Sequence, residues 1–349
     1  MKYLLYAEHN YAFAMLRPMQ TAIRLQGEEA AWFLAGKEID PSFLKDDETR
    51  LMDVKATLNW SPDAVIAPGN TIPAFIPGLK VAIFHGFNIA KSTRSDERGH
   101  FNIRGCFDLY CTQGPATTHR FKELAQRHGY FDVVETGWPA LDPLFTKGTQ
   151  DSRPRLKPVV LYCSTFTPEL SSAPRLKDTI HNLSRKDEYR WLVQFHPKMP
   201  KNHTEYYKTM QNENLSFIET DNIIPLLQQA DVMLCDTSSM IPMFLVQEKP
   251  VVTFNNQSRE ALPILNTQNP EKIAPALQKA LSHPAPLMKR IQDYAQQIHP
   301  YQDGQSSQRV LDAINSQLDP AKQIQRSAKP RNLLRNLKER KKLGYWHLF

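Results

Sequence analysis

The chain has 349 residues, long enough for two ordinary domains rather than one. It is 41% hydrophobic, with 13 glycines against 26 prolines, which excludes a low-complexity or disordered chain. Its net charge of +7 is concentrated in the last 29 residues, where nine Lys and Arg meet one acid, so residues 1–320 sum to −1; a body so nearly neutral argues against a nucleic-acid-binding surface spread over the fold.

In chain order, Tyr3 to Tyr6 predicts a first strand, and Glu8-His9-Asn10 sits where it ends. Tyr11 to Leu25 is a helix, with Phe13, Leu16, Met19, Ile23 and Leu25 as its apolar positions. Strands follow at Ala31–Leu34, at Asp63–Ala67 (closed by Pro68-Gly69-Asn70), and at Lys80–Phe84 (closed by His85-Gly86). Leu109 to Thr112 leads through Gln113-Gly114-Pro115 into a helix at Ala116–Arg127, and Val133 to Thr136 ends in Gly137-Trp138-Pro139. Residues 148–157 are polar, carry Gly148 and Pro154, and read as an interdomain linker between residues 1–147 and 158–320.

The pattern then restarts. Strands are expected at Val159–Cys163, Tyr189–Phe195, Leu215–Ile218, Val232–Cys235 and Pro250–Phe254. Helices are expected at Pro174–Leu183, Asn222–Ala230, Met240–Gln247, Pro270–Ser282, Pro286–Ile298 and Ser306–Leu318. Short apolar strands alternating with helices predict parallel βαβ units. The expected fold class is therefore α/β: two doubly wound Rossmann-like domains facing a cleft, followed by a basic tail at 321–349 containing a helix.

Cys106, Cys111, Cys163 and Cys235 lack metal-type spacing and read as reduced thiols. The apolar run near Met1 is too short for a signal peptide, and no run approaches the roughly 18 residues of a membrane span, so a cytoplasmic protein is expected.

Ligands of open parallel sheets bind at the carboxyl ends of the strands, near the reversal of strand order. That rule selects His9, Asn10, Asn70, His85, Gly86 and Gly114 in the first domain. In the second it selects Ser164, Thr165, His196, Asp236, Ser238 and Ser239, and Thr237 joins them as a donor- or phosphate-binding candidate. His85 is the general-base candidate, because imidazole exchanges a proton near neutral pH and Gly86 leaves room beside it. Asp236 to Ser239 joins a buried strand to a helix, a place that suits a phosphate. His196, fixed by Pro197, is a candidate donor to that phosphate. No histidine pair has metal spacing, so neither metal nor cofactor is expected.

Phe84-His85-Gly86, Gly137-Trp138-Pro139 with Asp142, Phe195-His196-Pro197, Asp221-Asn222, Ala230-Asp231, Asp236-Thr237-Ser238-Ser239, Lys249-Pro250 and Asp303-Gly304 come in the order seen in one family. Over Lys80 to Ile314 the chain resembles the CDP-glycerol glycerophosphotransferases, the teichoic-acid primases and polymerases. The resemblance implies a GT-B-type fold without a metal, with His85 at the base position and His196, Ser238 and Ser239 at phosphate-contacting positions. It also implies a peripheral site at the inner face of the plasma membrane. The chain departs from the family pattern at Thr237 (a Tyr), Met243 (an acid) and Ala140 (an Arg), and its first 75 residues match little.

The expected function is transfer of glycerophosphate, or a related polyol-phosphate or sugar, from a CDP-activated donor to a hydroxyl of a membrane-linked surface-glycan acceptor. The tail, with Leu333, Leu334 and Leu337 on one face and Tyr345, Trp346, Leu348 and Phe349 at its end, would meet an anionic membrane. Alternatives are an isomerase resembling UDP-N-acetylglucosamine 2-epimerases, a UDP- or CMP-sugar glycosyltransferase, and a non-enzymatic, basic-tailed nucleotide-binding module. The epimerases carry carboxylates just after the equivalent of Asp236 to Ser239, and Met240 to Leu245 contain none.

Overall fold

The computed structural model describes residues 1–87, 99–146, 156–220, 222–322 and 326–346. Residues 148–155 of the expected linker, Asp221, Leu348 and Phe349 lie outside the described residues. The chain divides into two compact units. One takes the described residues up to Phe145 together with the segment that starts at Tyr301; the other runs from Thr146 to Pro300.

The first unit holds a seven-stranded sheet: β1 (Lys2–Ala7), β2 (Glu29–Leu34), β3 (Arg50–Leu51), β4 (Ala64–Ala67), β5 (Leu79–Ala82), β6 (Leu109–Thr112) and β7 (Asp132–Glu135). Its spatial order is β3-β2-β1-β4-β5-β6-β7, and every pairing is parallel. Both faces are buried, so the strands read as apolar runs rather than alternating ones. Tyr3, Leu5 and Ala7 face Phe13, Leu16, Met19 and Ile23 of the helix Tyr11–Leu25. Leu4 and Tyr6 share the opposite layer with Phe121 and Leu124 of the helix Pro115–His128.

The second unit holds β8 (Val159–Ser164), β9 (Arg190–Phe195), β10 (Leu215–Phe217), β11 (Val232–Cys235), β12 (Val251–Phe254) and β13 (Leu265–Thr267). Their order is β10-β9-β8-β11-β12-β13, again all parallel. In each sheet the chain starts centrally, winds to one edge, then returns beside its first strand. The reversal lies between β1 and β4 in one unit and between β8 and β11 in the other. Both units are thus doubly wound.

β3, β13 and the helices Val54–Trp60 and Lys201–Thr209 add to the elements expected from sequence. β3 has two residues, and Lys201–Thr209 buries only Tyr207, so neither carries a periodic signal. The strand expected to reach Phe84 stops at Ala82, because Phe84 turns to φ 62°.

One boundary differs from expectation. The second domain was expected to reach residue 320, but the helix Ser306–Leu318 buries Val310, Leu311 and Ile314 in the core of the first unit. Asp142 fastens its start by accepting from Ser306 N at 2.8 Å and Ser307 N at 2.7 Å. The following helix, Leu333–Leu343, also packs on the first unit, where Leu343 and Tyr345 join the layer that contains Tyr6.

Candidate active site

In the first unit the reversal point collects Glu8-His9-Asn10 after β1 and Pro68-Gly69-Asn70 after β4. His85 follows β5, the next strand along. Phe84, immediately before it, sits in the left-handed region, which is unusual for a bulky residue and aims the next side chain away from the strand's course. Two contacts fix this turn: Trp138 Nε1 donates to Phe84 O at 3.2 Å, and buried Gln113 donates to Gly86 O at 2.8 Å.

The exposed His85 ring places Nδ1 3.1 Å from Pro68 O. A carbonyl oxygen only accepts, so Nδ1 carries the proton and neutral His85 presents the Nε2 lone pair outward. Tyr11 packs beside it at 5.6 Å between ring centroids and stacks on His9 at 5.3 Å. His9 Nδ1 lies 3.1 Å from Glu38 Oε2. A Cβ on Gly86 would meet nothing within 4 Å, so the space beside His85 is open. Asn70 is exposed at the same strand ends, while Asn10 accepts from Asp40 N at 2.8 Å and anchors a neighbouring loop. Gly114 starts the helix Pro115–His128.

In the second unit the reversal point sorts the predicted residues into two groups. Asp236 is fully buried. Its carboxylate accepts from Ser164 Oγ at 2.7 Å, from Ser172 N and Ser172 Oγ at 2.9 Å each, and from Thr165 N at 3.1 Å. Burial pushes this carboxyl above its ordinary range, and the donors around it oppose that shift. Thr237 Oγ1 accepts from Gln257 N at 2.9 Å, and Asn256 Nδ2 donates to Asp236 O at 2.9 Å. Asp236, Thr237, Ser164 and the Thr165 backbone therefore lash the loops after β8, β11 and β12 together; they position the site.

His196, Ser238 and Ser239 form the outward group. Ser239 is exposed; Ser238 is half-exposed, and its Oγ accepts from Met240 N at 3.2 Å. The helix they open, Met240–Leu245, has six residues and is shorter than expected. His196 is exposed, and its Nδ1 accepts from Lys198 N at 3.0 Å. Nδ1 thus holds the lone pair, and neutral His196 carries its proton on Nε2. Partial desolvation of the ring, then the positive charge of Lys198, lowers its pKa, which favours that neutral form. Phe166 supports the ring at 4.5 Å.

Tyr11, Gln113, Trp138, Phe166, Asn256 and Gln257 shape the two clusters without having been selected from sequence. Only the Gly-Trp-Pro context of Trp138 gave a signal; the rest are ordinary residues placed by the fold. Among the described residues no group of three His, Cys, Asp or Glu could hold a metal ion.

A family model described as CDP-Glycerol:Poly(glycerophosphate) glycerophosphotransferase matches residues 107–316. No curated protein sequence matches the chain. A structure of the wall teichoic acid polymerase TagF, a histidine-to-asparagine variant soaked with CDPG, superimposes with a TM-score of 0.64 at 13% identity, covering 93% of this chain and 90% of that one. A putative UDP-N-acetylglucosamine 2-epimerase from Listeria monocytogenes gives 0.63 at 14% identity, covering 95% and 99%. S. aureus MnaA with UDP gives 0.62 at 14%, covering 95% and 100%. At such identities these likenesses show the fold, which transferase and epimerase share. The family match spans more than half of the sequence: the chain belongs to the CDP-glycerol:poly(glycerophosphate) glycerophosphotransferase family, and is an enzyme of that transferase type.

Proposed function

We propose that this chain transfers glycerophosphate from CDP-glycerol to a hydroxyl of a membrane-linked surface-glycan acceptor, at the inner face of the plasma membrane. The observation that carries the reading is the opposite tautomers of the two strand-end histidines: His85 offers a lone pair at Nε2, His196 offers a proton there. One is suited to take a proton, the other to stabilise negative charge. The acceptor oxygen loses its proton to His85 Nε2 and bonds to the β-phosphorus. The bond from that phosphorus to the bridging oxygen breaks, and CMP leaves with the electron pair. His196 Nε2–H, with the hydroxyls of Ser238 and Ser239, donates to the oxygens that gain charge. The CDPG-soaked TagF variant supports the choice of donor. The basic tail provides the membrane contact.

His85→Ala is expected to lower kcat by about 10² to 10⁴. Affinity for CDP-glycerol, measured by titration calorimetry, should hold. Undiminished turnover would remove His85 from the mechanism.

The epimerase-like reading is favoured by the near-equal fold match and opposed by the absence of carboxylates in Met240 to Leu245. Thermal shift separates the two. A ligand at 100 times its dissociation constant adds about 2.7 kcal/mol. CDP-glycerol and CMP should raise Tm, whereas UDP and UDP-N-acetylglucosamine should not; the reverse preference would replace transferase by isomerase.

A further inference from the structure

We propose that the root of the C-terminal helix is a binding pocket for a phosphate group, carried by inorganic phosphate or by the headgroup of an anionic lipid. A cavity of about 200 Å³ lies where the tail crosses the first unit. Lys80, at the start of β5, lines it from the fold; Lys329, Asn332, Arg335 and Asn336 line it from the tail. Three cations thus converge on one small space. Lys329 pairs with Asp108 at 2.5 Å. The other two donate to neutral groups: Lys80 Nζ to Gly78 O at 2.8 Å, and Arg335 to Arg104 O and to Cys106 Sγ, the latter at 3.1 Å.

Lys80 is only 9% exposed, and a buried ammonium costs free energy unless a counter-charge meets it. The crowding registers on its amine: burial, then Lys329, push its pKa down to about 8 despite Asp108. Asp108, the carboxylate that acts on Lys80, is already paired with Lys329; a phosphate would add negative charge, facing the Arg335 fork and the Lys80 point charge in charge-assisted hydrogen bonds. Lys80 lies within β5 and Gly105 before β6, whereas His85 follows β5, and no residue that lines this pocket belongs to the candidate active site. A ligand there touches fold and tail together and fastens one to the other.

The test uses the full chain with inorganic phosphate, read by hydrogen exchange and thermal shift. Phosphate should slow exchange across residues 329–336, and Lys80→Met and Arg335→Gln should each weaken its binding about tenfold or more, a loss of roughly 1.4 kcal/mol. Lys80 Nζ donates to Gly78 O rather than to the tail, so Lys80→Met reports on the ligand rather than on docking. No phosphate-dependent protection there, or an affinity in both variants equal to the parent's, would overturn the proposal; a phosphate effect lost only in His196→Ala would do so too, placing the anion in the second unit. Vesicles of phosphatidylcholine with or without phosphatidylglycerol then separate the sources. Binding to the anionic vesicles that inorganic phosphate competes away, and that Lys80→Met weakens, assigns the lipid headgroup; protection by phosphate without such competition assigns the free anion.

Discussion

His85 and His100 both adjoin Phe84, and burial separates their behaviour. His85 is exposed, whereas the His100 ring stacks on Phe84 at 5.0 Å and meets Phe101 and Phe121 edge-on. Burial first, and the nearby His85 second, lower the pKa of His100 to about 4. The folded pKa lies below the ordinary value of about 6.5, so between the two the unfolded chain binds a proton that the folded chain refuses. This contribution to stability is complete above about pH 6.5 and is lost as pH falls toward 4. It amounts to about 3 kcal/mol at most. His100→Phe keeps the ring packing and removes the titration, so Tm measured from pH 7 to 4 should fall less steeply than in the parent; parallel curves would deny His100 this role. At this scale the sequence carried a good deal. Strand-end placement selected His85 and His196 because polar groups at the ends of buried parallel strands have few places to go. The proton positions were not legible, since Pro68 O and Lys198 N decide them. Nor was the inward turn of Asp236, which depends on Ser172, a residue 64 positions away.

Among the elements, the segment from Gly137 to Asp142 ties together parts distant in sequence. Its Trp138 holds the carbonyl of the left-handed Phe84, and its Asp142 starts the helix Ser306–Leu318. The motif thus has a structural reason to accompany Phe84-His85-Gly86: it fixes the backbone from which the proposed base projects. Trp138→Phe retains most of the ring and deletes the Nε1 donor, leaving Phe84 O with one hydrogen bond fewer at a cost of about 1–3 kcal/mol. A base displaced by a fraction of an ångström slows proton transfer while leaving the proposed nucleotide-binding groups of the other unit alone. The expected result is a kcat roughly tenfold or more below the parent with unchanged affinity for CMP. Equal losses in both would mean general destabilisation instead. The helix Ser306–Leu318 itself was legible to the residue, because Val310, Leu311 and Ile314 recur at helical spacing. Its destination was not: an amphipathic face says that a helix needs a partner, not which sheet supplies one.

For the whole molecule, the question left by the charge distribution is what the basic tail does. It is held along the first unit, by Arg326 on Asp132, Lys329 on Asp108 and Lys342 on Glu8. The helix Leu333–Leu343 turns Arg335, Asn336, Glu339, Arg340 and Leu343 toward the fold and leaves Leu333, Leu334, Leu337, Lys338 and Lys341 exposed. Leu334 is 78% exposed and Trp346 57%. Docking therefore does not compete with the proposed membrane contact: the two use opposite faces of one helix. Each basic residue near an anionic surface contributes about 1 kcal/mol, and each leucine that enters the interface adds up to about 1.5–3 kcal/mol. Deleting the tail is a poor test, because it would also strip Leu343 and Tyr345 from the layer they cover. Replacing Leu333, Leu334 and Leu337 together by Gln touches only the outward face. That variant should keep the parent's Tm and its turnover on a soluble acceptor, yet lose most co-sedimentation with phosphatidylglycerol-containing vesicles. Retained vesicle binding would remove these leucines from the membrane contact, and a fall in Tm would show that they support the folded unit rather than a membrane.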